Sequence, residues 1–401
     1  MKIRKILSIA ALAAILVSAC NKEESKVNLV EEENLVTVDP QSGTVIEGKY
    51  VVVLNETSTK LALDGTYDEK VENMKAYAQS FFRTKSTGGV EIDQAYVKAL
   101  QGFSARMPEN VVAELKKDSR IKYIEPDRLF ILKKPANPGN GGGDDGTTTA
   151  QEVPYGIARV GYGNGVGKTA WILDTGIDFD HEDLNVDVNR SRTFVRSKSA
   201  DDDNGHGTHC AGTVAAIDNN VGVVGVAAGA TVVAVKVLDR RGSGAYSGII
   251  EGIDYVANMA SAGDAANMSL GGGAYQPIDD AVYAASQQGI NFALAAGNES
   301  DDANNHSPAR VNGPNIFTIS AMDSNDEWAY FSNYGNPPVD YCEPGYNIYS
   351  TKKGGGYTYM SGTSMAAPHM CGILLMTNGN PRTDGNVTGD PDGKADPIGA
   401  I

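Results

Sequence analysis

The stretch Gly362-Thr363-Ser364-Met365-Ala366-Ala367-Pro368-His369 joins a turn of small residues to a predicted helix, with Ser364 where the helix begins. The first amides of a helix carry partial positive charge and have no partner within the helix. Small neighbours leave the Ser364 hydroxyl uncrowded, so a negative charge that develops beside it would meet these donors. Taken alone, the motif indicates no more than a serine that caps a helix.

Two upstream motifs supply the partners that a serine nucleophile needs. Leu173-Asp174-Thr175-Gly176 ends a predicted buried strand in an aspartate, and Gly205-His206-Gly207-Thr208-His209 opens a predicted helix with a histidine. A serine hydroxyl is a poor nucleophile, so a histidine must take its proton and later give it to the leaving amine. An aspartate then orients the imidazole and stabilises its charged form. Asp174, His206 and Ser364 are therefore candidate catalytic residues.

The chain order Asp, His, Ser and the three motifs together resemble the subtilisin-like serine proteases. A fourth motif, Ala295-Ala296-Gly297-Asn298, matches the same family. The resemblance implies an endopeptidase that forms an acyl-enzyme on Ser364, with the Asn298 amide and the Ser364 N–H binding the oxyanion. It further implies peptide and protein substrates, a monomer, and no organic cofactor.

Two other interpretations stay open at the level of sequence. A catalytically silent surface-binding module could keep the same fold, although an altered triad or oxyanion residue would favour it and all four residues are present. A metal site built from His206, His209 and Cys210 lacks the His-Glu-x-x-His spacing and a general-base glutamate on that helix. His209 and His369 are expected to be structural histidines.

The resemblance also implies how a substrate is held. Residues 242–244 and 269–271 correspond to two edges that pair with an extended peptide through main-chain hydrogen bonds. Tyr246 would line a pocket for a residue upstream of the cut, and His306 falls near the wall of the primary pocket or in solvent. The candidate substrate-binding residues are Gly242, Ser243, Gly244, Tyr246, Ser269, Leu270, Gly271, Ala296, Gly297 and His306.

A segment over residues 216–223, Ala-Ile-Asp-Asn-Asn-Val-Gly-Val, resembles the high-affinity calcium loop of the family. Oxygen ligands are what a hard cation such as Ca²⁺ requires. The alternative is a plain Asn-Gly loop. The implied structural calcium ligands are the side chains of Gln151, Asp183 and Asn219 and the carbonyls of Ile217, Val221 and Val223.

Periodicity predicts two folded domains. Residues 48–132 show the order strand-helix-strand-strand-helix-strand, which indicates a small α+β ferredoxin-like domain. Its motifs over 99–105 and 121–127 resemble the inhibitory propeptide of subtilisins, which would make it an intramolecular inhibitor. From residue 150 onward, apolar strand-like runs alternate with helical ones, which predicts a mostly parallel α/β sheet flanked by helices. After Met376 the chain is rich in Gly, Asp, Asn and Pro and is predicted to be a solvated tail.

The amino-terminal residues predict export. Basic residues precede an apolar core at Ile6 to Val17 that is short for a membrane span, and Val17-Ser18-Ala19-Cys20 resembles a bacterial lipobox. Cys20 would then carry the lipid that binds the membrane, with an ordinary signal peptide as the alternative. The acidic residues after it are weakly typical of outer-surface sorting. The net charge of −16 argues against nucleic acid as a partner.

A Gly-, Pro- and Asp-rich linker separates the two domains, and Ala150 to Ile157 looks like a mature subtilisin amino terminus. We therefore predict a processing cut between Thr149 and Ala150, which would release the catalytic domain from its anchor. The predicted organisation is a signal peptide over 1–19, a tether over 20–47, an inhibitory propeptide domain over 48–132, a flexible linker over 133–149 and a catalytic domain over 150–401.

Overall fold

The structure, a computed structural model, describes residues 41–55, 64–82, 89–133 and 150–401. The predicted signal peptide, Cys20, Thr149 and most of the linker lie outside the described residues. Within the described part of the chain, no helix is long and apolar enough to cross a membrane. The three cysteines there, Cys210, Cys342 and Cys371, are buried free thiols.

The propeptide domain has the predicted ferredoxin-like order. Its antiparallel sheet runs β4-β1-β3-β2, and helix α1 begins with a capping box in which Thr66 and Glu69 exchange hydrogen bonds. Its elements are β1 (Val45–Leu54), α1 (Tyr67–Ser80), β2 (Glu91–Tyr96), β3 (Gly102–Arg106), α2 (Glu109–Leu115) and β4 (Ile121–Ile131).

The first half of the catalytic domain contributes the strands and helices that carry two of the candidate catalytic residues. They are α3 (Tyr155–Val160), β5 (Gly163–Asn164), β6 (Thr169–Asp174), β7 (Asn185–Val186), β8 (Arg192–Thr193), α4 (His206–Ala215), β9 (Ala227–Ala228), β10 (Thr231–Lys236), β11 (Ser243–Ala245), α5 (Tyr246–Met259), β12 (Ala265–Met268), β13 (Gly272–Gly273) and α6 (Gln276–Ser286).

The second half completes the central sheet and ends in the helix that carries Ser364. Its elements are β14 (Asn291–Ala295), a short 3₁₀ helix (Ala303–Asn305), β15 (His306–Ser307), β16 (Ile316–Met322), β17 (Val339–Pro344), β18 (Ile348–Thr351), β19 (Tyr357–Met360), α7 (Thr363–Thr377), β20 (Arg382–Asn386) and β21 (Pro397–Ala400).

The central sheet runs in the order β20-β21-β17-β16-β14-β12-β6-β10-β7, and β8 also pairs with β10. The pairings from β21 to β7 are parallel, and only β20 pairs antiparallel. Ala170 and Ile172 of β6 pack with α4 and α7 on one face, whereas Trp171 and Leu173 pack with α5 and α6 on the other. Buried strands with helices on both faces confirm the predicted α/β fold class.

Parallel pairing brings the carboxyl ends of three neighbouring strands to one edge of the sheet. Asp174 ends β6, Ser269 directly follows β12, and Asn298 comes three residues after β14. Helices α4 and α7 begin with His206 and Thr363. Open α/β sheets bind ligands at this edge, and the candidate catalytic residues come from these segments.

The prediction of a solvated tail after Met376 is wrong. Strands β20 and β21 extend the central sheet, with Ile398 opposite Cys342 of β17. Ile398 and Asp396 are fully buried, and the Asp396 carboxylate accepts a hydrogen bond from the Ser320 hydroxyl at 2.5 Å. The polar, Gly- and Asp-rich residues before β21 hid this strand, and its partner β17 lies about fifty residues earlier in the chain.

Candidate active site

Asp174 and His206 meet where a strand ends and a helix begins. Nδ1 of His206 lies 2.8 Å from Oδ1 and 2.9 Å from Oδ2 of Asp174, and both side chains are buried. Helix α4 approaches the loop after β6 so closely that a β-carbon on Gly207 would collide with the carbonyl oxygen of Gly176. In this geometry the carboxylate fixes the tautomer of the imidazole and stabilises its protonated form.

Ser364 lies in the first turn of α7, beside this pair. The thiol of Cys210 contacts both His206 and Ser364. Its Sγ lies 4.0 Å from Nδ1 of His206 and donates to the Ser364 carbonyl at 3.4 Å. The Ser364 hydroxyl donates to the carbonyl of Ser269 at 3.1 Å. Because Nδ1 of His206 is bound to Asp174, Nε2 is the nitrogen left to take the Ser364 proton once the hydroxyl turns from Ser269.

Asn298 has its amide oriented by the start of α7. Its Oδ1 accepts hydrogen bonds from the N–H and the hydroxyl of Thr363, at 2.9 and 3.1 Å. This leaves Nδ2 facing the cleft, where it donates to the carbonyl oxygen of Lys133 at 3.2 Å. A fixed donor of this kind stabilises the negative charge of a tetrahedral intermediate, which suits the predicted role of Asn298.

Asp202 is a positioning residue that the sequence motifs did not indicate. Its carboxylate is 6 % exposed and accepts the hydroxyl of Thr175 at 3.0 Å and the N–H of Gly205 at 2.9 Å through Oδ1. Oδ2 accepts the N–H and hydroxyl of Thr208, at 3.0 and 2.6 Å. Asp202 thereby ties the loop after β6 to the first turn of α4. The sequence feature that could have indicated this role is the acidic run at residues 201–203, because carboxylates are favoured near the amino terminus of a helix.

The described residues include one group of three potential metal-ligating side chains within reach of a single ion, Asp174, His206 and Cys210. Burial raises the pKa of the Cys210 thiol, and its Sγ donates to the Ser364 carbonyl. His209 is not in this group, because its Nε2 contacts two main-chain carbonyls and burial lowers its pKa to about 3. His369 is likewise buried, with Nδ1 on the carbonyl of Met365. The predicted metal-ligating set of His206, His209 and Cys210 is therefore not the set that the structure brings together.

The cleft is filled by the end of the propeptide domain. Strand β11 pairs antiparallel with β4, so that Ser243 and Gly244 lie opposite Ile131 and Phe130. Ser269, Leu270, Gly271 and Gly297 line the same cleft, together with Asn298 and Ser364. The structure thus places both predicted edges along an extended peptide segment.

Three candidate substrate residues, Tyr246, Ala296 and His306, are not among the residues that line this cleft. Tyr246 is buried at the start of α5 against Tyr275, with ring centroids 4.8 Å apart, and Ala296 is fully buried. The Nε2 of His306 lies 3.1 Å from a carboxylate oxygen of Asp301, and its Nδ1 lies 3.9 Å from one of Glu299. Glu299 lines the cleft, whereas His306 lies behind Glu299 and is mostly buried rather than exposed to solvent.

Two buried carboxylates hold the propeptide domain on helix α5. Asp127 accepts the N–H of Ser247 at 3.0 Å and its hydroxyl at 2.6 Å. Asp254 accepts the main-chain N–H groups of residues 97–99 at 2.7–2.9 Å. Hydrogen bonds to charged groups are stronger than neutral ones, so these contacts bind the inhibitor beside the cleft as well as across it.

Three of the candidate calcium ligands, Gln151, Asp183 and Asn219, contact one another where the loop follows the carboxyl end of α4. The Asp183 carboxylate accepts the Asn219 amide at 2.8 Å, the N–H of Val223 at 3.3 Å and the Tyr357 hydroxyl at 3.2 Å. Gln151 Oε1 accepts the N–H of Asn219. Burial raises the pKa of Asp183, and its hydrogen-bond partners are all neutral groups.

The pH dependence of the site follows from His206. Burial acts to lower its pKa, but the Asp174 carboxylate and Cys210 act to raise it, and together they hold the pKa well above 6.5. The imidazole must be neutral to take the serine proton, so activity is present above this pKa and lost below it. We expect kcat/KM to fall about tenfold per pH unit on the acid side, with a midpoint above 6.5. A pH–rate profile on a neutral peptide checks this, and full activity at pH 5 would contradict it.

Comparison with known proteins agrees with this geometry. Residues 167–386 match the Subtilase family, and residues 49–132 match Peptidase inhibitor I9. The chain is 36 % identical over 353 residues to Subtilisin-like protease 1 of Arthroderma otae, covering 82 % of this chain and 67 % of that protein. It is 34 % identical over 375 residues to an Extracellular serine proteinase of Thermus sp., covering 91 % and 88 %.

A solved structure also supports membership of the subtilisin-like family. The crystal structure of a cold adapted subtilisin-like serine proteinase superposes with a TM-score of 0.53 at 38 % identity, covering 61 % of this chain and 96 % of that chain. The family match runs from the strand that ends in Asp174 through the helix that carries Ser364. The chain therefore belongs to the subtilase family and is a subtilisin-like serine endopeptidase made as a zymogen with its own inhibitory propeptide.

Proposed function

We propose that the zymogen processes itself and then hydrolyses internal peptide bonds of other proteins through an acyl-enzyme on Ser364. The contact between Asn298 Nδ2 and a peptide carbonyl in the cleft carries this proposal. Ser364 Oγ would attack such a carbonyl carbon while His206 takes its proton, and Asp174 would stabilise the imidazolium. His206 then protonates the leaving amine, and water hydrolyses the ester in the same way.

Cleavage of a peptide blocked at both ends tests this proposal. The chain is allowed to process, the peptide is added, and the products are identified by mass. Two fragments that together add one water to the peptide are expected. A chain that binds the peptide but yields no fragments, before or after mild trypsin treatment, would instead favour the catalytically silent surface-binding module.

A structural Ca²⁺ is part of the proposal. The candidate ligands fit a hard cation because they are all oxygen donors, and the buried carboxylate of Asp183 accepts hydrogen bonds only from neutral groups. The Gln151, Asp183 and Asn219 side chains would hold the ion with the Ile217, Val221 and Val223 carbonyls. Bound there, the ion supplies stability rather than chemistry, since it would join residues 150–152 to the loop over 216–223.

Chelation is expected to lower the melting temperature. Calcium at a hundredfold excess over its dissociation constant would stabilise the fold by about 2.7 kcal/mol, which is about 5–10 °C for a domain of this size. Asp183→Asn should lower the melting temperature and abolish the response to calcium. Asp180→Asn, a change on the same loop, should keep the response. A melting temperature that ignores both chelator and Asp183→Asn would rule out the site.

The proposal places the zymogen at a membrane through a lipid on Cys20, with the protease released by processing. The lipobox-like residues 17–20 support this. In cells grown with radioactive palmitate, the full-length chain should be labelled and pellet with membranes, whereas Cys20→Ser should be unlabelled. A mature catalytic domain that stays in washed membrane pellets would contradict the release.

A further inference from the structure

The last described residues of the propeptide domain lie in the cleft as a substrate would. Residues 129–131 pair in antiparallel register with Ser243–Ala245. The N–H of Leu132 continues the ladder, since it donates to the carbonyl of Gly242 at 2.9 Å. Phe130 is 2 % exposed, so this segment is anchored by a buried side chain as well as by its main chain.

The carbonyl group of Lys133 is presented to the candidate catalytic residues. The carbonyl oxygen of Lys133 accepts the hydrogen bond from Asn298 Nδ2, the donor assigned to the oxyanion. Leu132 and Lys133 line the same pocket as Ser364. A carbonyl held by the oxyanion donor belongs to the residue just before the scissile bond, so Lys133 takes that position.

We propose that the first processing cut falls between Lys133 and Lys134, and that Glu299 makes a basic residue preferred before the cut. This inference rests on the proposed function, because it needs Ser364 to act as the nucleophile. The inference adds which residue the same cleft prefers just before the cut.

Glu299 is fixed so that one carboxylate oxygen faces the lysine. Its Oε2 accepts the N–H of Asn298 at 2.8 Å and the amide of Asn333 at 2.9 Å. Its Oε1 lies 3.5 Å from Nζ of Lys133. Because the Lys133 side chain is 62 % exposed, the preference for a cation is expected to be a few-fold rather than absolute.

The predicted bond Thr149–Ala150 is not the one that this arrangement presents. Ala150 and Glu152 form bridges to Val221 and Val223 in the candidate calcium loop, while Lys133 occupies the cleft. The sixteen residues 134–149 that join these positions can reach about 55 Å when extended. Both ends can thus be bound before any cut, and a cut after Thr149 becomes a later trimming step.

The first cut is an ordinary peptide hydrolysis that passes through an acyl-enzyme. Ser364 Oγ bonds to the Lys133 carbonyl carbon, and its proton passes to His206. The carbon–nitrogen bond to Lys134 breaks, and His206 gives the proton to the new amine. Water then hydrolyses the Lys133 ester, leaving a Lys133 carboxylate and free Ser364.

Intact mass with amino-terminal sequencing, over a time course without added protease, tests the inference on the full chain. The first new amino terminus is expected at Lys134, with a partner fragment ending at Lys133, and Ser364→Ala should stay whole. A first cut at Ala150 or elsewhere would overturn this inference and leave the proposed function standing. A wild-type chain that stays whole yet cleaves blocked peptides would also overturn it. A whole chain without peptide cleavage even after mild trypsin would overturn both.

Variants test the charge preference separately. Lys133→Glu should slow the first cut at least tenfold, whereas Lys133→Arg and the neighbouring control Lys134→Gln should stay within about twofold. In the processed enzyme, Glu299→Gln should lower kcat/KM for a peptide with lysine before the cut about threefold to fivefold relative to the same peptide with methionine. An unchanged lysine-to-methionine ratio would remove Glu299 from the proposal.

Discussion

Replacing Ser364 with alanine is expected to lower kcat for peptide hydrolysis by about 10⁶-fold and to leave KM nearly unchanged. The size is that known for the same change in subtilisin itself. Without the hydroxyl no acyl-enzyme forms, whereas the cleft edges and Asn298 still bind the peptide. Because this variant cannot cut its own chain, a catalytic amount of wild-type enzyme is added to process it, then removed before kinetics.

Ser361→Ala is the matched control for this result. Ser361 lies two residues before the start of α7, and its hydroxyl accepts the N–H of Asn347 at 2.8 Å. Its loss should leave kcat within about twofold. If Ser364→Ala kept more than one hundredth of wild-type activity after full removal of the processing enzyme, Ser364 would not be the nucleophile.

Changing Asp174 to asparagine is expected to lower kcat about 10⁴-fold at pH 7, the loss known for this change in a triad of the same design. An asparagine amide can donate to Nδ1 of His206 and hold the wrong tautomer. Without the carboxylate, burial is left to lower the pKa of His206. The acid limb of the pH–rate profile should therefore move to lower pH while the plateau falls.

Asp178→Asn separates this effect from a general change of charge near the site. Asp178 lies on the loop after β6, where its carboxylate accepts the N–H groups of Asp180 and Gly354 at 3.1 and 2.7 Å. Both the plateau and the acid limb should be nearly unchanged. An Asp174→Asn enzyme with the wild-type acid limb would show that Asp174 does not set the pKa of His206.

The sequence predicted the parts of the fold that depend on local patterns. The apolar run at β6 ends in Asp174, and the small residues around His206 and Ser364 lie where helices approach strands closely. A histidine and a serine at helix starts follow a strand-end aspartate, and parallel pairing brings such positions together. Together with their resemblance to subtilisin motifs, these positions predicted Asp174, His206 and Ser364 as the candidate catalytic residues.

The parts that were missed depend on pairing between distant residues. Strand β21 follows a polar, Gly- and Asp-rich stretch, and its place in the sheet depends on the pairing of Ile398 with Cys342 of β17. The pairing of β4 with β11 joins residues more than a hundred positions apart, so only the structure shows Lys133 beside Asn298. The role of Asp202 was likewise hidden, because an acidic run is usually a solvated surface.

The most direct test of the central claim is to map the covalent adduct of a fluorophosphonate on the processed enzyme. The reagent reacts with a serine only when a base removes its proton and an oxyanion site is present. Peptide mass spectrometry should place a single stoichiometric adduct on Ser364, and prior heat denaturation should abolish it. A processed, folded enzyme without an adduct, or with the adduct on another serine, would contradict the assignment of Asp174, His206 and Ser364 as a working catalytic triad.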